Sequence, residues 1–200
     1  MSAEPSWEER TKEANLEITM SDRWYALHVK PRFEKYVTRQ LESKGYETFL
    51  PTYVLKRKWS DRIKSLSFPL FPSYVFCRFD IHSRLPIVIT PGVMAVLGAG
   101  KIATPVDEAE LTAIRHITES GIAAEPCPYL AVGEVVRVET GPLEGLTGIV
   151  LRTKGTDRLV VSVSLLMRSV FVEIDSSRVK PVRERTPRMV SSILDYNLVG

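Results

Sequence analysis

The sequence predicts an α+β fold in two domains: a mixed strand and helix domain over residues 21–120, then a small all-β domain over 130–183. Three observations predict it. Extended and helical apolar patterns alternate from Trp24 to Ser120, four short strand-like runs with glycine turns follow Gly133, and the stretch IAAEPCPY between them has prolines and no period. Residues 121–129 therefore read as a linker.

Within the first domain, WYALHVK is a short strand. Pro31 suits a first helical turn, and Phe33, Tyr36, Val37 and Leu41 recur at i, i+3, i+4 and i+8 until Gly45 stops the helix. YETFLPTYVL is extended and leads to the basic segment Lys56 to Lys64, which lacks a core period and reads as a hairpin tip. FPLFPSYVFCRF is a strand entered through Pro69 and Pro72; neither can donate to a ladder, so pairing should begin near Ser73. The IVI run at 87–89 fits a strand, while Ser83 and Pro86 fit the opening of a short helix. PGV at 91–93 is a turn and MAVLG a short strand. Asp107 and Glu110 form a capping-box pattern before a helix carrying Leu111, Ile114 and Ile117, closed by Gly121.

In the second domain, GEVVRVE, LTGIVLR, DRLVVSVSLL and SVFVEI are strands separated by TGPLEG, TKGT and MR. So many short strands in so short a segment suggest a barrel, because closure removes exposed edges. Residues 1–20 carry five acids against two bases and no apolar period, and 184–200 lose the strand pattern; both read as tails.

Composition removes several function classes. A net charge of +3 from 27 basic and 24 acidic residues does not by itself select a partner. No apolar run approaches the ~20 residues of a membrane helix and the acidic start lacks a signal-peptide core, so a cytoplasmic location without membrane contact is expected. Two cysteines, Cys77 and Cys127, are too few for a disulfide framework and lack metal-ligand spacing. Cys77 reads as a buried thiol and Cys127, between two prolines, as an exposed linker residue. His28, His82 and His116 are isolated, and no H-E-x-x-H, G-x-S-x-G or P-loop is present, so neither catalysis, metal nor cofactor is expected.

VGEVVRVETGPLEGLTGIVLR resembles a KOW motif, the strand-loop-strand signature of an SH3-like barrel. Gly141, Pro142 and Gly145 would shape its loop, and Gly148 inside a strand signals a bulge or a close backbone approach. WYALHVKPRFEKYVTRQLESKGYETFLP, PLFPSYVFCRF, PGVMAVLG and PVDEAEL resemble, in that order, the N-terminal domain of the NusG family. PLFPSYVF is similar to the specialised paralogues of the RfaH, polysaccharide-locus antiterminator type. The resemblance implies an α/β sandwich, an antiparallel sheet with flanking helices, plus an SH3-like KOW barrel. It also implies a transcription elongation and antitermination factor that docks on the clamp helices of RNA polymerase, bridges the DNA cleft and suppresses pausing. The barrel would recruit a small-subunit ribosomal protein or the termination factor Rho. His82-Ser83-Arg84-Leu85 departs from the threonine-rich segment that RfaH carries there, which puts that polymerase contact in doubt.

Alternation in SYVFCRF sets Tyr74, Phe76 and Arg78 on one face and Val75, Cys77 and Phe79 on the other. Both faces are apolar, so one is core and the other must be covered by a helix or a partner. By the resemblance, Tyr74, Phe76 and Leu111 match polymerase-docking positions; the alternative is ordinary core. Lys56, Arg57, Lys58, Trp59, Arg62 and Lys64 combine phosphate-seeking charge with a stacking ring, which suits nucleic-acid contact; the resemblance implies that this part lies near upstream or non-template DNA. Lys30, Arg32 and Lys35 could extend that patch, and the five bases from Arg178 to Arg188 form a weaker candidate. A competing reading is an RNA- or ribosome-binding KOW protein without polymerase association.

Overall fold

The structure, a computed structural model, describes residues 22–59, 62–99, 102–129, 133–153 and 156–182. Both expected tails lie outside the described residues.

A four-stranded antiparallel sheet in the order β2-β5-β1-β6 organises the first part of the chain. Its strands are β1 (Arg23–Val29), β2 (Glu47–Phe49), β5 (Tyr74–Phe79) and β6 (Val93–Val96). Helix α1 (Glu34–Ser43) lies against one face and buries Val37 and Leu41 beside Tyr25, Leu27, Val29, Val75, Cys77 and Phe79. Phe33 and Tyr36, expected on the same buried stripe, instead remain 41% and 44% exposed, so the helix buries a narrower stripe than its periodicity suggests.

Two strands, β3 (Thr52–Trp59) and β4 (Arg62–Pro69), form a separate antiparallel ribbon. The basic segment is thus the far end of a ribbon whose second arm, β4, sequence patterning missed because it alternates weakly. Pro69 ends that arm, and the chain re-enters a sheet at Tyr74 after a turn in which Ser73 has φ +69°. The amide of Ser73 donates to Glu34 Oε1 at 2.8 Å, which gives that buried carboxylate a partner.

Residues 85–88 resolve as a helical turn, α2 (Leu85–Val88), with Pro86 in its first turn and the Lys44 ammonium donating to the Pro86 carbonyl at 2.9 Å. A small hairpin, β7 (Gly98–Ala99) with β8 (Ile102–Ala103), leads to α3 (Glu108–Glu119). Asp107 caps α3 by accepting from the Ala109 amide at 2.7 Å. Glu110 does not complete the capping box; its carboxylate accepts instead from the amide and hydroxyl of Ser164, an acceptor role drawn away by tertiary contact.

The second part is a six-stranded antiparallel sheet, β14-β10-β11-β12-β13-β9. It comprises β9 (Ala124–Pro128), β10 (Glu134–Val138), β11 (Thr147–Thr153), β12 (Thr156–Val163), β13 (Arg168–Ile174) and β14 (Val179–Pro181). The expected linker is corrected here: Ala124–Pro128 pairs with β13, Cys127 opposite Ser169. Pro126 and Pro128 lack donors, so β9 can only be an edge strand, and it offers an outside strand few amides. A short β14, ending in Pro181, forms the other edge.

Gly148 is the close backbone approach that its place in a strand suggests. A Cβ there would stand 2.6 Å from the Val160 carbonyl oxygen on β12. Replacing Gly148 with Ala is expected to destabilise the protein by about 1–3 kcal/mol through overpacking against backbone, read by denaturant titration.

Candidate functional site

Strand β5 carries the first candidate site. Register sets Trp24 opposite Arg78, Ala26 opposite Phe76 and His28 opposite Tyr74, so these six share a face, joined by Phe49 opposite Phe76. The structure fills most of this face from within the chain. Phe76 is fully buried, stacked with Phe49 at 6.0 Å and edge-on to Phe71 at 5.9 Å. Leu111 is 3% exposed and belongs, with Ile114 and Ile117, to the same apolar cluster. That cluster continues into Val136, Val150, Leu159, Val161 and Val170 of the six-stranded sheet.

Phe76 and Leu111, expected as docking residues with ordinary core as the alternative, are both buried: Phe76 against Phe49 and Phe71, and Leu111 in the cluster that α3 shares with the second sheet. Tyr74 alone is half-buried, its ring 5.5 Å from that of His28.

Helix α3 is held on both sides. Toward the first sheet, the Arg115 guanidinium lies 5.1 Å from the Phe49 ring and 5.5 Å from Trp24, with Glu47 Oε1 at 3.9 Å. Toward the second, Glu110 holds Ser164, and His116 Nε2 lies 2.9 Å from the Pro142 carbonyl oxygen, to which it donates. Pro142 belongs to the glycine loop singled out from sequence. Gly141 and Gly145 adopt φ +99° and +84°, conformations that favour glycine, while Leu143 and Leu146 anchor the loop in the core.

The second candidate site is the β3–β4 ribbon. Its register sets Lys56 opposite Ser65, Arg57 opposite Lys64, Lys58 opposite Ile63 and Trp59 opposite Arg62. Six residues proposed from sequence thus fall on the distal half of one ribbon. Lys64 is exposed, and the side chains of residues 56–63 lie outside the described residues.

The base of the ribbon adjoins α1, where Lys35 Nζ donates to the Ser67 carbonyl at 3.3 Å. Lys30, Arg32, Lys35 and Arg39 are exposed around the edge-on ring pair Phe33 and Tyr36, centroids 5.8 Å apart. Sequence reasoning assigned this pair to the core. Their signal was the flanking charge: aromatic residues interleaved with bases on a helix start also fit a stacking surface. Arg178 and Lys180, from the weaker candidate, are exposed near the second sheet, and Lys180 pairs with Glu139 at 2.9 Å.

Burial pushes the Cys77 thiol up to about 12, with the carboxylates of Asp22 and Glu47 adding to the effect. Cys127 is half-buried in β9 rather than exposed, and burial raises its pKa as well, opposed by the Arg158 charge. No group of three or more His, Cys, Asp or Glu capable of holding a metal occurs among the described residues, and no helix there is long and apolar enough to cross a membrane.

A family model described as transcription termination factor NusG matches residues 22–115. The transcription termination/antitermination protein NusG of Buchnera aphidicola subsp. Baizongia pistaciae is 30% identical over 173 residues, covering 79% of this chain and 95% of its own. That of Helicobacter pylori strain J99 is 28% identical, covering 80% and 98%. Thermus thermophilus NusG is 29% identical over the same shares, 80% and 98%. A solved Thermotoga maritima NusG is 20% identical with a TM-score of 0.47, covering 82% of this chain and 98% of that one.

Because Phe76 is core, Phe76→Ala is expected to cost about 3–5 kcal/mol of stability, whereas Tyr74→Ala should cost clearly less, compared by thermal and denaturant unfolding. The two thiols should also separate chemically. Alkylation at pH 8 is expected to label Cys127 first and to reach Cys77 only on unfolding, as peptide mass spectrometry would record.

Proposed function

The chain belongs to the NusG family, and from that membership we propose that it is a transcription elongation and antitermination regulator that binds RNA polymerase through its first domain. The observation that carries this reading is the span of the likeness: alignment with full-length NusG proteins extends over 80% of this chain and 98% of the relative, through both sheets rather than the first domain alone. The relatives named are transcription factors, which favours a binding role over catalysis. Similarity of PLFPSYVF to the specialised paralogues supports a place on the antitermination side of the family.

In this proposal polymerase contact uses the Tyr74 end of the β5 face. Tyr74 is already half-exposed, whereas contact through Phe76 and Leu111 requires α3 to lift from the sheet. The ribbon supplies nucleic-acid contact from Lys56, Arg57, Lys58, Trp59, Arg62 and Lys64, extended toward α1 by Lys30, Arg32 and Lys35. Neutralised phosphates release counterions, so this part of the binding must weaken with salt. The six-stranded sheet, with its glycine loop, is the part left to recruit a second partner such as a ribosomal protein or Rho.

Transcription with purified polymerase tests the proposal. Pause lifetimes should shorten when the protein is added, and core polymerase should copurify with it. Ribosomes retained without polymerase, with pause lifetimes unchanged, would favour the RNA-binding alternative. Replacing Lys56, Arg57, Lys58 and Arg62 with Ser is expected to weaken DNA crosslinking in the elongation complex and flatten its salt dependence. Thermal stability should change little, since the substituted positions lie at the distal end of the ribbon.

A further inference from the structure

A buried carboxylate stands between the two basic elements of the first domain. Glu34, in the first turn of α1, is 6% exposed, and the Ser73 amide is the one polar partner of its side chain among the described residues. A carboxylate taken out of water needs such a donor, and a hydrogen bond to a charged acceptor is stronger than a neutral one.

The donor sits in a turn that its own side chain disfavours. The Tyr74 amide donates to the Phe71 carbonyl at 3.1 Å, with Pro72 and Ser73 at the centre and Ser73 at φ +69°. This is the pattern of a type II turn, whose second central residue is ordinarily glycine. Arg32, two residues before Glu34, is left-handed as well, at φ +68°. Two of the three such non-glycine residues among those described thus lie on the segments that Glu34 joins, and strain of this kind persists only where surrounding contacts over-determine it. Here they do: the Ser73 carbonyl accepts from the Val29 amide at 2.9 Å, while the Ser73 amide is held by Glu34 at 2.8 Å.

The turn is also the root of the ribbon. Strands β3 and β4 form a two-stranded sheet of their own, so the direction of the ribbon is set where it leaves the domain. The Leu70 amide donates to the Pro51 carbonyl at 2.9 Å to close that root, and Leu70 and Phe71 are buried beside it. Lys35 reaches Ser67 through an exposed 3.3 Å bond for which water competes; the bond from Ser73 to Glu34 is shorter and sheltered.

We propose that Glu34 is a positioning residue for nucleic-acid contact: by holding the Ser73 turn it fixes the ribbon against the start of α1, so that Lys64 and its neighbours meet phosphates together with Lys30, Arg32 and Lys35. The proposal rests on the reading of these two elements as one nucleic-acid surface. The charge of Glu34, close to these bases, opposes phosphate binding, so its position and its charge predict opposite effects of substitution.

Two variants of the full-length protein separate them. Glu34→Gln keeps the reach and loses the charge, whereas Glu34→Asp keeps the charge and is one methylene too short for Ser73. Each is titrated by fluorescence anisotropy against a DNA fork of mixed sequence, with duplex and single-stranded arms, over a salt series. Glu34→Gln should bind at least as tightly as the unsubstituted protein, with the same slope of log Kobs against log salt. Glu34→Asp should bind about tenfold more weakly at low salt, and its slope should fall by about 2 as helix and ribbon cease to act together. In the free proteins, spin labels at Ser65→Cys and Arg39→Cys, both exposed positions, report the ribbon against α1 in a Cys127→Ser background, where the buried Cys77 stays unlabelled. The distance distribution should match the unsubstituted protein in Glu34→Gln and broaden in Glu34→Asp. Salt slope and distances unchanged in Glu34→Asp, even with stability lowered, would overturn the positioning role and leave the nucleic-acid reading standing, as would Glu34→Gln binding as weakly as Glu34→Asp. An unsubstituted protein without salt-dependent binding to the fork would overturn the nucleic-acid reading itself, and the proposal with it.

Discussion

Strand β5 is apolar on both faces, and the molecule is arranged to keep both of them dry. Val75, Cys77 and Phe79 meet α1, while Phe76 meets Phe49, Phe71 and the cluster that includes α3. A single α-helix has only one broad apolar stripe, so α3 could cover the sheet and stop there. It does not stop there, because Leu111, Ile114 and Ile117 join a cluster shared with Val136, Val150, Leu159 and Val161. Covering one strand has tied two sheets together through one helix.

Burial of these side chains outweighs the polar contacts around them. Each fully buried aliphatic or aromatic group contributes about 1.5–3 kcal/mol, whereas an exposed pair such as Arg115 with Glu47 contributes at most about 1 kcal/mol. The polar contacts do something else: they set the rotation and height of α3. Glu110 with Ser164, His116 with Pro142 and Arg115 over Phe49 engage three sides of one short helix, and only one placement satisfies all three.

The two candidate sites differ in how they are supported. The ribbon projects from the first domain and is joined to α1 by Lys35 and Ser67, so charge can be changed there without disturbing either core. The β5 face lies at the junction of the sheets, where Phe76 packs against Phe49 and Phe71 within the shared apolar cluster. The contact proposed for Tyr74 and the packing of Phe76 thus lie two residues apart on one strand.

Local chemistry alone determined much of this protein: the first strand, α1 and its stop at Gly45, the Asp107 cap of α3, the glycine loop, the close approach at Gly148 and the basic hairpin. Each follows from a period, a cap or a backbone conformation that a few neighbouring residues specify. The ribbon arm Arg62–Pro69 and the strand Ala124–Pro128 were not legible, since each becomes a strand only because a distant partner supplies its ladder. The same holds for the site. Alternation showed that Tyr74 and Phe76 share a face, but not which of them would see solvent. Only the packing of α3 and the second sheet decided that, because burial depends on what lies across the gap and not on the strand's own pattern. Phe33 and Tyr36 show the converse: a helical stripe predicts a buried face, yet its width is set by the sheet it meets.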